Sequence, residues 1–368
     1  MIEQLQKLPL EQKIGQLFVV GLPGTENNAE TSSIVNEIKP GGVCLFSRNI
    51  REAAQTRDLL NSVRDSLPVV PLLSLDQEGG LVDRLRRVLG PSPQASKIRT
   101  AEDAGLFGQL TSEAIRILGF NTDFAPVIDV VDDRRSKFSN GLHSRAYGSS
   151  VSDVVDLAGS FARALQDGGC IACFKHFPGL GASEIDSHED LPAVNITQDE
   201  FESIDLKPYR ELLSSDPAVS VMVAHAAYPL LDLQETDQNG KLLPSSLSFN
   251  VVTKLLREGI GFDGVVLTDD LEMGAIVRNY GIGDACVRAI NAGVDMLAIC
   301  AGKEAIYEGF NSVVAAARSG DLDPERIDRS LARIARMKSQ IVQPLPFDPA
   351  RLKVLSEEIA ALGTRLNS

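Results

Sequence analysis

The chain has 368 residues, with 36 Lys and Arg against 50 Asp and Glu, a formal charge of −14, and 43% hydrophobic residues. That composition excludes a disordered chain, and the acidic balance argues against nucleic acid or an anionic membrane surface as partner. No uninterrupted apolar run approaches the ~18 residues of a membrane span, and five cysteines fit a reducing compartment better than a disulfide framework.

The first segment, MIEQLQKLPLEQK, has no cationic start followed by an apolar core. The expectation is therefore a cytoplasmic protein without a secretory signal. A first helix is expected over about 9–15. Eight apolar, β-branched runs of strand length then recur: 16–22, 41–46, 69–75, 122–130, 170–177, 219–226, 264–269 and 295–300. They are continuous rather than alternating, as strands covered on both faces are. Helical patterns lie between them. Over 151–167, Val154, Ala158, Phe161 and Leu165 share one stripe, with Ser152 or Asp153 able to cap the start and Gly168-Gly169 able to end it. A later helix follows Asp323-Pro324, with Ile327, Leu331, Ile334 and Met337 on one face.

Eight strands alternating with helices predict a single (β/α)8 TIM-type barrel with extra C-terminal helices. The competitor is an open doubly wound sheet, which lacks its signature here: there is no GxGxxG or phosphate-binding loop. No Pro/Ser-rich linker divides the chain, so residues 1–368 read as one domain, with about 320–368 as a helical extension.

In a barrel of this kind, chemistry sits where strands end. Asp76 and Glu78 follow the third run, Asp129 closes the fourth, and Arg145 lies beyond it. Lys175 and His176 end the fifth, His225 the sixth, and Asp269-Asp270 the seventh. All four histidines, 143, 176, 188 and 225, fall within or just after runs four to six. Each residue also has a plain structural role open to it. A strand-end Asp can cap a helix or brace a loop, and Lys175 and Arg145 can serve in structural ion pairs. Adjacent strand residues point to opposite faces, so at most one of Asp269 and Asp270 should face the axis. Cys170 and Cys173 form a C-x-x-C, but in a strand that spacing separates the thiols and no second pair completes a zinc set. Asp186-Ser187-His188 is more pointed. In an extended loop the carboxylate and the imidazole share a side, which raises the imidazole pKa and makes a general acid/base unit.

KHFPGLGASEIDSHEDLP resembles the K-H-F-P-G-x-G … D-S-H signature of the family-three glycoside hydrolases that act on N-acetylglucosaminides. DQEGGLVDRL (76–85), FAPVIDV (124–130), RAYG (145–148) and LTDDLEMGAI (267–276) are similar to its other blocks, in order, from KIGQLFVVG to GVDMLAI. The resemblance implies roles. Asp269 would be the nucleophile, His188 the general acid/base and Asp186 its dyad partner. Asp76, Arg84, Arg145, Lys175 and His176 would hold the terminal sugar. It implies no metal and no organic cofactor. It also implies a retaining exo-β-N-acetylglucosaminidase acting on a small carbohydrate, in peptidoglycan recycling. Leu180 stands where several relatives carry His, and Leu81 where a basic residue is frequent, which bears on what lies beyond the first sugar.

Three other readings compete. A phosphorylase is compatible with a histidine acid/base, because imidazole repels phosphate less than a carboxylate does. A metal-dependent amidohydrolase lacks its H-x-H and any early histidine. A non-catalytic sugar-binding protein has no use for the Asp/His pair. The sequence sets no oligomeric state, with a monomer as the default.

Overall fold

The computed structural model describes residues 1–137, 141–184, 190–215 and 220–368. In chain order its strands are β1 (Phe18–Gly21), β2 (Gly42–Cys44), β3 (Leu72–Leu75), β4 (Gln77–Gly79), β5 (Val82–Asp83), β6 (Thr122–Asp123), β7 (Cys173–Phe177), β8 (Ser220–Val223), β9 (Val266–Asp270) and β10 (Met296–Ile299). β4 and β5 form a separate antiparallel hairpin. The other eight make one parallel sheet in the order β6, β3, β2, β1, β10, β9, β8, β7. Single parallel bridges, Thr122 with Ile171 and Val127 with Lys175, join the two ends of that order. Asp123 N–H donates to the Ile171 carbonyl (2.9 Å) and Cys173 N–H to that of Ala125 (2.9 Å), so the sheet curls into the expected barrel.

Every expected run contains a strand, and the ladders are shorter than the runs. Over 122–130, paired strand covers only Thr122–Asp123, with one further bridge at Val127. Pro126 has no N–H for a ladder, so the segment cannot pair continuously. The apolar continuity has its reason in burial: β1, β2, β3, β8 and β10 are buried at every position, between the barrel interior and the helical ring.

The helix Val151–Asp167 buries Val154, Ala158, Phe161 and Leu165, as its spacing requires. Its cap is Ser150, whose hydroxyl accepts the Asp153 N–H at 3.1 Å, rather than Ser152 or Asp153. Asp153 instead occupies the first turn, where its charge suits the helix dipole. At the C-terminal end of the chain, Asp323 caps Pro324–Lys338, and a further helix, Pro349–Asn367, packs on Ala101–Leu118. Arg351 holds that contact through Glu113, at 2.6 and 2.8 Å. Among the described residues no helix is long and apolar enough to cross a membrane.

The N-terminal end of the barrel is tied to Pro324–Lys338 by one buried carboxylate. Asp295, just before β10, is fully buried. It accepts from Arg257, from Arg326 (3.4 Å) and Arg333 (3.3 Å), and from the Ser330 hydroxyl at 2.7 Å. Burial pushes this carboxyl up, but the three guanidiniums outweigh it and hold it below the usual range. Asp295→Ala would strand buried arginines without a counter-charge. It is expected to cost about 3–5 kcal/mol, read as a lower urea midpoint at unchanged slope.

Candidate active site

The C-terminal ends of the barrel strands surround a cavity open to solvent. Asp76, Arg84, Arg145, Lys175, His176 and Asp269 all line it. Residues far apart in the chain share one cavity because the ends of β3, β7 and β9, with the hairpin and loop that carry Arg84 and Arg145, converge at one end of the barrel. Asp186 and His188 lie outside the described residues.

At the centre is Lys175, only 2% exposed. Its Nζ donates to Asp76 Oδ1 at 2.8 Å and to Glu78 Oε1 at 2.6 Å. Arg145 grips Glu78 from the other side, with Nε 2.7 Å from Oε2 and Nη2 2.9 Å from Oε1, a bidentate pair. Burial by itself would raise the Glu78 pKa; the two cations reverse that and hold it far below the ordinary carboxylate range. Burial likewise works against the Lys175 charge, and Asp76 and Glu78 overcome it. Arg84 reaches Asp76 Oδ2 at 3.5 Å and lies over the Phe46 ring, 5.2 Å from its centroid.

The β4–β5 hairpin explains how Glu78 arrives there. Gly79 and Gly80 have φ of 85° and 60°, a region that side chains disfavour, and a Cβ on Gly79 would lie 2.2 Å from the Pro93 carbonyl oxygen. Gln77 anchors the turn. Its N–H donates to Asp123 Oδ1 at 2.8 Å, its Nε2 donates to Asp83 Oδ1 at 2.9 Å, and its Oε1 accepts the Leu85 N–H at 3.0 Å.

Two register shifts set which side chains face the cavity. In β7, Cys173 and Phe174 pair with Ser220 and Val221, but Phe177 pairs with Val223, so β7 carries one extra residue. Lys175 and His176 are consecutive and both line the cavity. In β9, Leu267 pairs with Met296 but Asp270 with Ala298, again one extra residue. Asp269 and Asp270 both line the cavity, which corrects the expectation that only one of them would. Strict alternation fails because a bulge re-aims the side chains beside it.

The partners of His176 assign its tautomer. Nε2 faces Arg145 Nη2 at 3.3 Å, and a guanidinium can only donate. Nε2 therefore accepts, and Nδ1 carries the proton that it donates to Asp129 Oδ2 at 2.7 Å. Asp129 also accepts the N–H of His176 (3.2 Å) and of Leu180 (2.6 Å), fixing the start of the loop that leads to residue 184. His225 is buried behind β9, with Nε2 donating to the Asp270 carbonyl at 3.1 Å and Nδ1 2.7 Å from the Ser246 hydroxyl.

The two adjacent acids are driven apart. For Asp269, burial raises the pKa, but His176, His225, the Asp270 N–H (2.8 Å from Oδ1) and Lys175 bring it below the usual value. For Asp270, burial together with the charges of Glu272 and Asp269 prevails over two backbone N–H donors and pushes it up to about 7. One carboxylate stays ionised while its neighbour keeps its proton to near neutrality.

Glu78, Asp129 and Asp270, which the sequence offers as strand-end acids without a role, complete this site. Glu78 has a readable signal, since it stands two positions after Asp76 in an extended segment. Cys170 and Cys173 are free, buried thiols, with burial pushing Cys173 up to about 12. Among the described residues no group of three or more His, Cys, Asp or Glu side chains is arranged to hold a metal ion.

Residues 9–337 match the model of the glycosyl hydrolase family 3 N-terminal domain. The chain belongs to glycosyl hydrolase family 3. This family 3 glycoside hydrolase is 34% identical over 339 residues to the β-hexosaminidase LpqI of Mycobacterium tuberculosis, covering 89% of the chain and 82% of that protein. It is 30% identical to β-hexosaminidase A of Pseudoalteromonas piscicida, covering 85% of the chain but only 56% of that longer protein. Its fold superposes on a family 3 β-N-acetylglucosaminidase from Paenibacillus sp. with a TM-score of 0.84 at 32% identity, covering 97% of the chain and 69% of that structure.

The Asp270 environment of this family 3 hydrolase makes its stability pH-dependent. Unfolded, the carboxyl ionises near pH 4; folded, it holds its proton to about 7. Between those values the folded state binds more protons, so this contribution to stability is complete below pH ~4 and is lost as pH rises through about 7. Asp270→Asn is expected to remove that part of the slope, measured as urea-unfolding free energy against pH in both proteins.

Proposed function

We propose that this family 3 hydrolase is a retaining exo-β-N-acetylglucosaminidase that removes terminal, non-reducing, β-linked N-acetylhexosamine through a covalent glycosyl-enzyme intermediate. The observation that carries the reading is Asp269: a half-buried carboxyl held below the usual carboxylate range by its neighbours, on the wall of a cavity shared with a dense hydrogen-bonding cluster. An ionised carboxylate in that position can attack an anomeric carbon and stabilise the positive charge that develops there. The β-hexosaminidase and β-N-acetylglucosaminidase relatives support the substrate class.

In this reading, His188 gives a proton to the leaving oxygen while Asp269 bonds to the anomeric carbon, and Asp186 orients the imidazole. His188 then takes a proton from the water that releases the sugar. Asp76, with Arg84, Arg145, Lys175 and His176, holds the sugar hydroxyls. The Lys175 and Arg145 charges fix Asp76 and Glu78 as acceptors before substrate arrives, so little reorganisation is needed on binding. The biological setting proposed is cytoplasmic turnover of peptidoglycan-derived fragments.

Asp269→Ala is expected to lower hydrolysis of 4-nitrophenyl β-N-acetylglucosaminide on the order of 10⁴-fold, and His188→Ala by about 10²–10⁴-fold. A rate equal to wild type in the first variant removes Asp269 as nucleophile. Proton NMR of the first-formed sugar is expected to show the β anomer, with rates indifferent to phosphate. Exclusive release of the sugar 1-phosphate would make the enzyme a phosphorylase.

A further inference from the structure

The extra residue of β9 is braced from both sides by side chains. Towards β8 the ladder is regular, pairing Val221 with Val266, Met222 with Leu267 and Val223 with Thr268, and it ends there. Towards β10 it skips: Leu267 pairs with Met296 and then Asp270 with Ala298. A bulge takes backbone groups beside it out of the ladder, and buried groups of that kind need other partners.

Thr268 supplies one partner. It is fully buried, and its hydroxyl oxygen accepts the Ala298 N–H at 3.0 Å. His225 supplies the other. It stands two residues beyond Val223, as Asp270 stands two beyond Thr268, so the register carries it to the height of Asp270. Its ring is fully buried, and Nε2 donates to the Asp270 carbonyl at 3.1 Å. The Ser246 hydroxyl, 2.7 Å from Nδ1, fixes the ring from behind.

Residue 270 is thereby gripped at three points. His225 holds its carbonyl, the Cys300 N–H holds its Oδ1 at 3.2 Å, and its own N–H reaches Asp269 Oδ1 at 2.8 Å. The last bond passes the alignment on to Asp269. Neither His225 nor Thr268 is among the described residues that line the cavity, so their effect on a bound sugar runs through 269–270.

We propose that His225 and Thr268 are positioning residues for the nucleophile: they lock the β9 bulge so that the Asp269 carboxylate meets the anomeric carbon. The inference rests on the reading of Asp269 as nucleophile. A fault confined to its alignment slows bond formation at the anomeric carbon and leaves the grip on the sugar intact. A general loss of structure weakens both.

The test therefore compares kcat/KM for 4-nitrophenyl β-N-acetylglucosaminide with the inhibition constant of free N-acetylglucosamine. His225→Phe and Thr268→Val are each expected to lower kcat/KM on the order of 10²-fold, the cost of a displacement of about 1 Å at the reacting atoms. The inhibition constant is expected to stay near wild type. His225→Gln, whose amide N–H can serve the same carbonyl, and Thr268→Ser, which keeps the hydroxyl, are expected to recover most of the rate. Circular dichroism checks the fold, and if His225→Phe does not fold, Thr268→Val and Thr268→Ser carry the comparison. Wild-type kcat/KM in a folded Phe or Val variant overturns the positioning role. So does a loss of sugar affinity as large as the loss of kcat/KM, or a conservative variant as slow as its disruptive counterpart. Asp269→Ala at wild-type rate would remove the nucleophile and this proposal with it. A crippled Asp269→Ala beside an unimpaired His225→Phe fails the positioning role alone.

Discussion

The charge on Lys175 is the constraint around which the C-terminal cavity is built. An ammonium that is almost wholly removed from water survives only with counter-charges in contact, and Asp76 and Glu78 supply them at 2.8 and 2.6 Å. Those carboxylates come from the end of β3 and from the β4–β5 hairpin, so one ion cluster ties β7 to β3 across the closure of the barrel. Arg145 extends the cluster to His176, and His176 extends it to Asp129 and the start of the loop leading to residue 184. The same bonds that neutralise the buried charges also aim the polar groups at the cavity.

Register irregularity does the rest of the aiming. A regular strand presents every second residue to the barrel axis, which would give one polar group per strand end. The extra residues in β7 and β9 let each strand present two neighbours, Lys175 with His176 and Asp269 with Asp270. In β9 the doubled presentation has an electrostatic consequence. Two carboxyls that close, in a partly dry site, do not both ionise readily, and their differing surroundings decide which one does.

Stabilisation and chemistry occupy opposite ends of the barrel. Asp295 and its arginines form a closed ion network at the N-terminal end, where each charge is answered by protein. At the C-terminal end Asp269 accepts a protein hydrogen bond from the Asp270 N–H and lines open cavity, the condition of a group available to a ligand.

The barrel was legible in the sequence because burial on both faces writes itself as apolar runs, and eight such runs with helices between them admit few architectures. The amphipathic stripe of 151–167 and the Asp323-Pro324 start were legible for the same local reason. Asp76, Arg84, Arg145, Lys175, His176 and Asp269 could be chosen because strand ends converge in a barrel and because the surrounding blocks resemble a known family. What no local pattern could state was pairing. That Glu78 is the shared counter-ion of Lys175 and Arg145, and that both aspartates of 269–270 line the cavity, depends on which residues of distant strands stand at one height. Sequence determines the alternation and chemistry of each strand; register between strands, and the bulges that shift it, exist only once the sheet has closed.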